Sequence, residues 1–478
     1  MKKIKVGLLT MSDGRIYLHE EAYEANMRHQ NAIQKALEDS GKYEVIAGSG
    51  PINSNDMARH EAERLRRENV EVTLINFTIW CYPQYTAVAT SIAPGPYLLL
   101  SNLHPSECGM VGMLAAAGTL EQLGRPFGKL WGAIEDPAVF QRVDSFLRAA
   151  AAINRLRGQT FGNFGGRPLG MYTAVANLEQ WQRMFGLDVE NIEQDDIIRA
   201  GDKADSAKVE HALAWLETNA RKVAYDGVGL TPDKLRTQIR SYYGLRSIIA
   251  ERKLDFIGIK AHGDLTDRYC TMDVAEAFLN DPYDWDGPKE PIVAATESDM
   301  DGALTMQIFK LMTGEPVLFC DVRHYDKERD VWFFSNSGTH ATYYAGHSMD
   351  PLENMQEVSL LPETFYYPAG GASIHHFAAP GHMTFARLAR RQGVYHLTLV
   401  PGEIVRFDRA EMEAMGQTTT PSWPVAFSRL EVGPDDFLRH FPCNHIHGVY
   451  GDHIEEWRTF AQLMGMDVQV LRPCELHA

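Results

Sequence analysis

Short apolar runs alternate with longer amphipathic stretches over the first two thirds of the chain. Residues 4–10 (IKVGLLT) are an apolar run that opens into the polar loop Ser12-Asp13-Gly14-Arg15. That pattern predicts a buried strand ending in a loop. Behind it, Ile33, Ala36 and Leu37 keep three-and-four spacing and Gly41 follows, which predicts a helix and its stop. Residues 70–77 (VEVTLINF), 97–101 (YLLLS) and 130–134 are further strand-like runs. Strands separated by helical segments predict a parallel α/β sheet.

Residues 158–170 (GQTFGNFGGRPLG) hold five glycines and a proline, a composition that predicts a connector and a domain boundary. A second α/β series follows, with strands expected at 169–175, 256–260, 291–297 and 316–321 and helix across 203–252. Beyond about residue 330 the pattern changes to strand-like runs at 331–334, 395–400 and 403–407 with Pro and Gly turns between them. Helical periodicity returns at 455–463. The predicted architecture is therefore two doubly wound parallel α/β domains, 1–165 and 166–312, followed by a β-rich, barrel-like C-terminal domain, 313–478. The length of 478 residues agrees with about three domains.

Composition adds exclusions. Apolar residues are 45% and charged residues 23%, ordinary for a globular protein. Forty-six basic against 63 acidic residues leave a net charge of −17, which disfavours nucleic acid and anionic membranes as partners. No run approaches the length of a transmembrane helix. The charged N-terminus with its short apolar run is no signal peptide. Cys81, Cys108, Cys270, Cys320, Cys443 and Cys474 form no CxxC pair and are expected to be reduced thiols of a cytoplasmic protein. The chain has no G-x-G-x-x-G, P-loop, G-x-S-x-G or H-E-x-x-H motif. A nicotinamide-dependent dehydrogenase is disfavoured accordingly, and a metal is the natural alternative for holding a substrate.

The candidate chemistry lies in three segments. In residues 291–304 (PIVAATESDMDGAL) an apolar strand ends at Glu297, and Ser298 or Asp299 can cap a helix with Leu304, Ile308 and Leu311 on its inner face. Residues 316–325 (PVLFCDVRHY) are a second apolar strand, ending at Asp321, 24 residues after Glu297. Strand, helix and strand would place both carboxylates side by side at one sheet edge, where ligands of open α/β sheets bind. Two adjacent carboxylates repel unless a proton or cation lies between them. Residues 441–452 (FPCNHIHGVYGD) place His445 and His447 two apart, on one face of a strand. Two carboxylates, one imidazole and open coordination positions suit Mn²⁺, Co²⁺ or Fe²⁺. Each residue also has an ordinary alternative: Glu297 as a cap, Asp321 as a partner of Arg323, His445 as a structural histidine.

At these residues the chain resembles the L-fucose isomerase family. ATESD, F-x-DVR-x-Y and NH-x5-G match its metal segments in order and spacing. Gly258-Ile259-Lys260, Thr266-Asp267-x-Tyr269, Ala275-Glu276-Ala277-x-Leu279-Asn280, the DGR loop and Trp80-Cys81-Tyr82 extend the likeness. The resemblance implies Glu297, Asp321 and His445 as metal ligands, to Mn²⁺ with Co²⁺ or Mg²⁺ as alternatives, with Glu297 and Asp321 also catalytic. It implies Arg15, Trp80 and Asn444 near the sugar. It implies aldose–ketose isomerisation of an open-chain sugar by enediolate proton transfer, in a homohexamer where Arg15 and Trp80 serve another subunit's site. The sugar would be L-fucose- or D-arabinose-like, or a C6-modified hexose such as a sulfonated sugar. The chain is shorter than these relatives and carries His262 where they have glutamine. It also has His375 and His376 in residues 370–381, expected close to the sugar. A non-catalytic sugar-binding or regulatory protein on the same scaffold is the alternative.

Overall fold

In a computed structural model, residues 2–337, 339–363 and 365–473 are described. They fall into two compact units, Met1–Arg155 with Glu455–Met466, and Leu156–Ile454 with Asp467–Ala478.

The first unit is built on five parallel strands in the order Tyr43–Ala47, Ile4–Met11, Val72–Phe77, Tyr97–Ser101, Phe127–Trp131. All six residues of Val72–Phe77 are buried, so both sheet faces need covering, which explains strands without polar alternation. Successive side chains feed opposite layers. Leu8, Leu74 and Leu98 pack with Ile33, Leu37 and Leu147 on one face. Leu9, Ile75 and Leu99 pack with Ala62, Leu65 and Leu120 on the other. The strand expected at 130–134 lies at Phe127–Trp131, because its parallel register runs from Tyr97↔Phe127 to Ser101↔Trp131 and Gly132, at φ +121, turns the chain away. Strand order reverses between Ile4–Met11 and Val72–Phe77. The segments holding Arg15 and Trp80 leave the carboxyl ends of those two strands, the usual ligand position of such sheets.

The second unit contains a four-stranded parallel sheet, ordered Ala294–Thr296, Phe256–Ile259, Thr160–Phe164, Asp188–Ile192. Thr160–Phe164 lies inside the glycine-rich stretch expected to be a connector. Gly162 is a strand glycine, since a Cβ there would meet Leu254 Cδ1 at 2.6 Å and Ile257 Cγ2 at 3.1 Å. The strand expected at 169–175 does not form; Leu169 and Gly170 take positive φ values of 43° and 72°, which break an extended run. The long helical stretch resolves into Ser206–Asn219 and Pro232–Arg252, the latter capped by Thr231 with Pro at its first turn.

The same unit holds an antiparallel circuit. Gly381–Arg391 pairs with His445–Tyr450, then Leu318–Asp326, Val331–Ser335, Val425–Leu430 and Val394–Ile404, which returns to Gly381–Arg391. The pairing closes on itself, which is the barrel expected from the strand-rich pattern. Leu318, Phe334, Met383, Phe385, Val400, Ala426 and Ile446 pack together within this part of the chain. Cys81, Cys108, Cys270, Cys320 and Cys443 are free thiols, and Cys474 lies outside the described residues. Among the described residues no helix is long and apolar enough to cross a membrane.

Candidate active site

The parallel sheet delivers Glu297. The strand Ala294–Thr296 ends, and Glu297 and Ser298 follow with φ of 55° and 45°. Two consecutive left-handed residues other than glycine are costly and tend to cluster at functional sites. Here the turn is held by Ser298 N donating to Ile259 O at 2.9 Å and Ser298 Oγ donating to Asn163 Oδ1 at 2.6 Å. Gly258 permits this approach, because a Cβ there would sit 2.9 Å from Ser298 Cα. Asp299 then caps the helix Met300–Thr313 by accepting from Gly302 N.

The barrel delivers the rest. Asp321 and His445 are register partners on neighbouring antiparallel strands, so their side chains share a face. The expected geometry was one strand–helix–strand edge carrying both carboxylates. Instead Glu297 leaves the parallel sheet and Asp321 sits in the barrel, because the chain after Gly314 pairs antiparallel with His445–Tyr450. The two carboxylates meet through His445, whose Nε2 lies 3.3 Å from Glu297 Oε2 and 3.4 Å from Asp321 Oδ1.

Behind the ring, His445 Nδ1 is 2.6 Å from Asp299 Oδ2. Asp299 is fully buried and takes a two-pronged contact from fully buried Arg387, at 2.6 Å and 3.1 Å. Arg387 Nη1 also lies 3.0 Å from His447 Nε2, and Phe319 packs on both histidine rings. In front, Asn336 Nδ2 donates to Asp321 Oδ2 at 3.0 Å and Asn444 Nδ2 to Asp321 Oδ1 at 3.4 Å. His262 Nε2 is 3.5 Å from Glu297 Oε1, and its ring leans on Tyr367.

The electrostatics follow from this crowding. Loss of water pushes the Glu297 carboxyl up, but His262 and His445 outweigh it and hold it at about 2. Loss of water keeps Asp321 above its ordinary value against the pull of His445. Burial opposes charge on His445, yet Asp299 and Glu297 raise it well above the usual imidazole range. A cation is therefore favoured between the carboxylates.

The donor set fits a divalent metal. Among the described residues His445 Nε2 is buried without a hydrogen-bond partner, and it faces two carboxylate oxygens. Its Nδ1 is committed to Asp299, the carboxylate–histidine arrangement that fixes the tautomer of a ligating imidazole. Asp299, Cys443 and His445 also bring ligand atoms within 4.8 Å of one another. That trio would have to take Asp299 from Arg387 and His445 Nδ1, so the Nε2 side is the better cradle.

The structure thus brings Glu297, Asp321, His445, His262 and Asn444 together. Arg15 and Trp80 belong to the first unit. There Arg15 is paired with Asp13 at 2.6 Å and has its side chain 46% exposed; Trp80 is half-buried. Arg323 does not pair with Asp321: it donates to Thr420 Oγ1 at 3.0 Å and stacks on Trp423. His375 and His376, expected near the sugar, are engaged elsewhere. His375 Nδ1 meets Trp423 O at 3.0 Å and the ring lines a separate cavity with Arg221, Lys222 and Arg409. His376 is wholly buried against His340. Missed from the sequence were Asn336, Tyr367, Arg387 and the orienting role of Asp299. Only Asp299 left a signal, as a candidate cap.

Three separate stretches match models of L-fucose isomerase domains: the first N-terminal domain at 3–158, the second N-terminal domain at 252–314 and the C-terminal domain at 334–472. The L-fucose isomerase of Bacteroides fragilis strain YCH46 is 25% identical over 575 residues, covering 100% of this chain and 96% of the relative. That of Bacteroides thetaiotaomicron is 24% identical over 506 residues, covering 89% and 85%. That of Escherichia coli O139:H28 is 26% identical over 367 residues, covering 68% and 62%.

Proposed function

The chain is a divergent member of the L-fucose isomerase family, and on that premise we propose that it interconverts an open-chain aldose and its ketose at Glu297, Asp321 and His445. The observation that carries the reading is the buried His445 Nε2 set between two carboxylates, 3.3 Å and 3.4 Å away, with no hydrogen bond of good geometry to either. The family's three-part division supports reading the chain as domains 1–165, 166–312 and 313–478.

Glu297, Asp321 and His445 would hold the metal, Mn²⁺ by resemblance with Co²⁺ or Mg²⁺ as alternatives. When bound, it supplies Lewis-acid stabilisation of the enediolate charge. One of the two carboxylates removes the proton from C1 or C2 and returns it to the neighbouring carbon, while the other moves the hydroxyl proton. Asp299 keeps His445 turned with Nε2 forward. Asn444 and His262 lie beside the two carboxylates, positioned to donate to sugar hydroxyls, and Asn336 holds Asp321 in place.

The substrate we favour is an L-fucose- or D-arabinose-like aldose. Arg323 favours a second reading, a hexose with an anionic C6 group such as a sulfonate. It lies two residues from Asp321, stacks on Trp423 and Tyr366, and makes no ion pair among the described residues. Metal-stripped protein should form ketose from one of these aldoses only after Mn²⁺ is restored, with the ranking of neutral and anionic aldoses by kcat/KM choosing between them. His445→Ala should lose bound metal on dialysis. No ketose from any aldose would leave the non-catalytic sugar-binding alternative, and unchanged metal in His445→Ala would sink the ligand assignment.

The reading includes a cytoplasmic homohexamer whose subunits share sites, as the resemblance implies. The exposed Arg15 head, next to exposed Ile16 and Tyr17, is what supports a trans role. Mixing inactive Arg15→Ala with inactive Glu297→Gln subunits should restore part of the activity. Mixtures as inactive as their parents would show that each subunit uses its own Arg15.

A further inference from the structure

A second cavity has Arg387, but not His445, in its wall. Its volume is about 450 Å³, and Arg387, Arg390, Arg391, Arg439, His396 and Asp301 are among its walls. None of Glu297, Asp321, His262 or His445 lines it. The size is that of a small-molecule site. Its charge is unusual for a chain of net −17: four guanidinium groups share one space with a single lining carboxylate, Asp301.

The cations are unequally satisfied. Arg390 pairs with Asp301 at 2.8 Å and Arg439 with the half-buried, i−3 carboxylate of Asp436 at 3.0 Å. Arg391 has no ion pair among the described residues. Arg387 is fully buried, and its Nη atoms are spent on Asp299, His447 and Thr173 O, but its Nε–H has no hydrogen-bond partner among the described residues. His396 is 8% exposed, leans on the backbone of Val394 and makes no side-chain hydrogen bond among the described residues. Buried donors left unmet are costly, and an oxygen-rich anion would satisfy them. Guanidinium groups match the oxygens of phosphate in particular, two N–H donors to two oxygens.

We propose that this cavity binds a small molecule bearing a phosphate group, separately from the sugar site. Arg387 Nε–H and His396 would meet the phosphate at the buried end, with Arg391 and Arg439 closing over it from the exposed end. Charge favours the dianion, and the cavity has room for a sugar-sized remainder.

The test is calorimetric titration of the full chain, without metal or sugar, at matched ionic strength. The probes are inorganic phosphate and fructose 6-phosphate. The variants are Arg391→Ala/Arg439→Ala, both exposed positions, with Arg221→Ala at the other basic cavity as control. Saturable binding is expected, weakened about tenfold or more in the double variant and unchanged in the control. Tighter binding of the ester than of inorganic phosphate would assign the cavity to esters, and equal binding to the phosphate group alone. No saturation by either probe up to about 10 mM, or equal weakening in the control, would overturn the proposal. An unaltered melting curve of the double variant shows that any loss is not unfolding. Because neither metal nor aldose is present, the outcome is independent of the isomerase reading.

Discussion

Glu297→Gln and Asp321→Asn are each expected to lower kcat for ketose formation by about 10²–10⁴-fold, the range for removing a positioned acid or base. Both changes keep the shape of the side chain and remove its charge and proton affinity. Glu297 loses what His262 and His445 grip, at 3.5 Å and 3.3 Å. Asp321 loses what Asn336, Asn444 and His445 surround. Each amide also weakens the proposed metal cradle, so turnover must be read beside metal content. At saturating Mn²⁺ with metal content restored, the deficit in kcat should persist while KM changes less, because a base acts in the transition state. Near-normal turnover of either refilled variant would reduce that residue to a ligand alone. Near-normal turnover of both would remove the catalytic assignment.

The parts of this site legible in the sequence were those with local signals. An apolar strand ending in a lone carboxylate marks a sheet edge, and that placed Glu297. Two histidines at strand spacing placed His445 and His447 on one face, and both do pack on Phe319. How the pieces meet was not legible. Glu297 and Asp321 are 24 residues apart in a pattern that fits strand, helix and strand. The choice between extending a parallel sheet and joining an antiparallel barrel depends on the pairing of residues 318–321 with 445–448, over a hundred positions downstream. Arg387 left no signal because nothing local shows that Gly381–Arg391 is buried on both faces, from Met383 to Ala389, or that an arginine there has a buried partner. Its partner lies 88 residues away. The glycines of 158–170 misled for a related reason. Gly162 is required by a side chain from Leu254, a long-range packing contact that composition reports as a loop.

Arg387→Met is expected to destabilise the fold by about 3–5 kcal/mol, measured by urea denaturation near neutral pH, because it strands a buried carboxylate. Asp299 and Arg387 are both fully buried. In the native protein burial pushes the Asp299 carboxyl up, but Arg387 and His445 outweigh it and hold it well below its ordinary value. Its contribution is therefore complete above the unfolded value, about 3.9, and is lost only as the pH falls towards the lower folded value. Without the guanidinium only the His445 contact opposes burial, so the carboxyl rises from its native value. The folded variant then takes up its proton at a higher pH than the native protein does, so acidification costs it less stability. The deficit between variant and native protein should accordingly shrink as the pH is lowered from 7 through the range where the variant's Asp299 takes up its proton, and a deficit that grows would refute this electrostatic account. Removing the stranded charge as well, in Arg387→Met/Asp299→Leu, should recover part of the lost stability, since an apolar pair of similar volume can replace a buried ion pair. Activity should not recover with it, because His445 Nδ1 then has no carboxylate to fix its tautomer. Stability restored without turnover would show that the buried pair serves to aim His445 rather than to hold the barrel together.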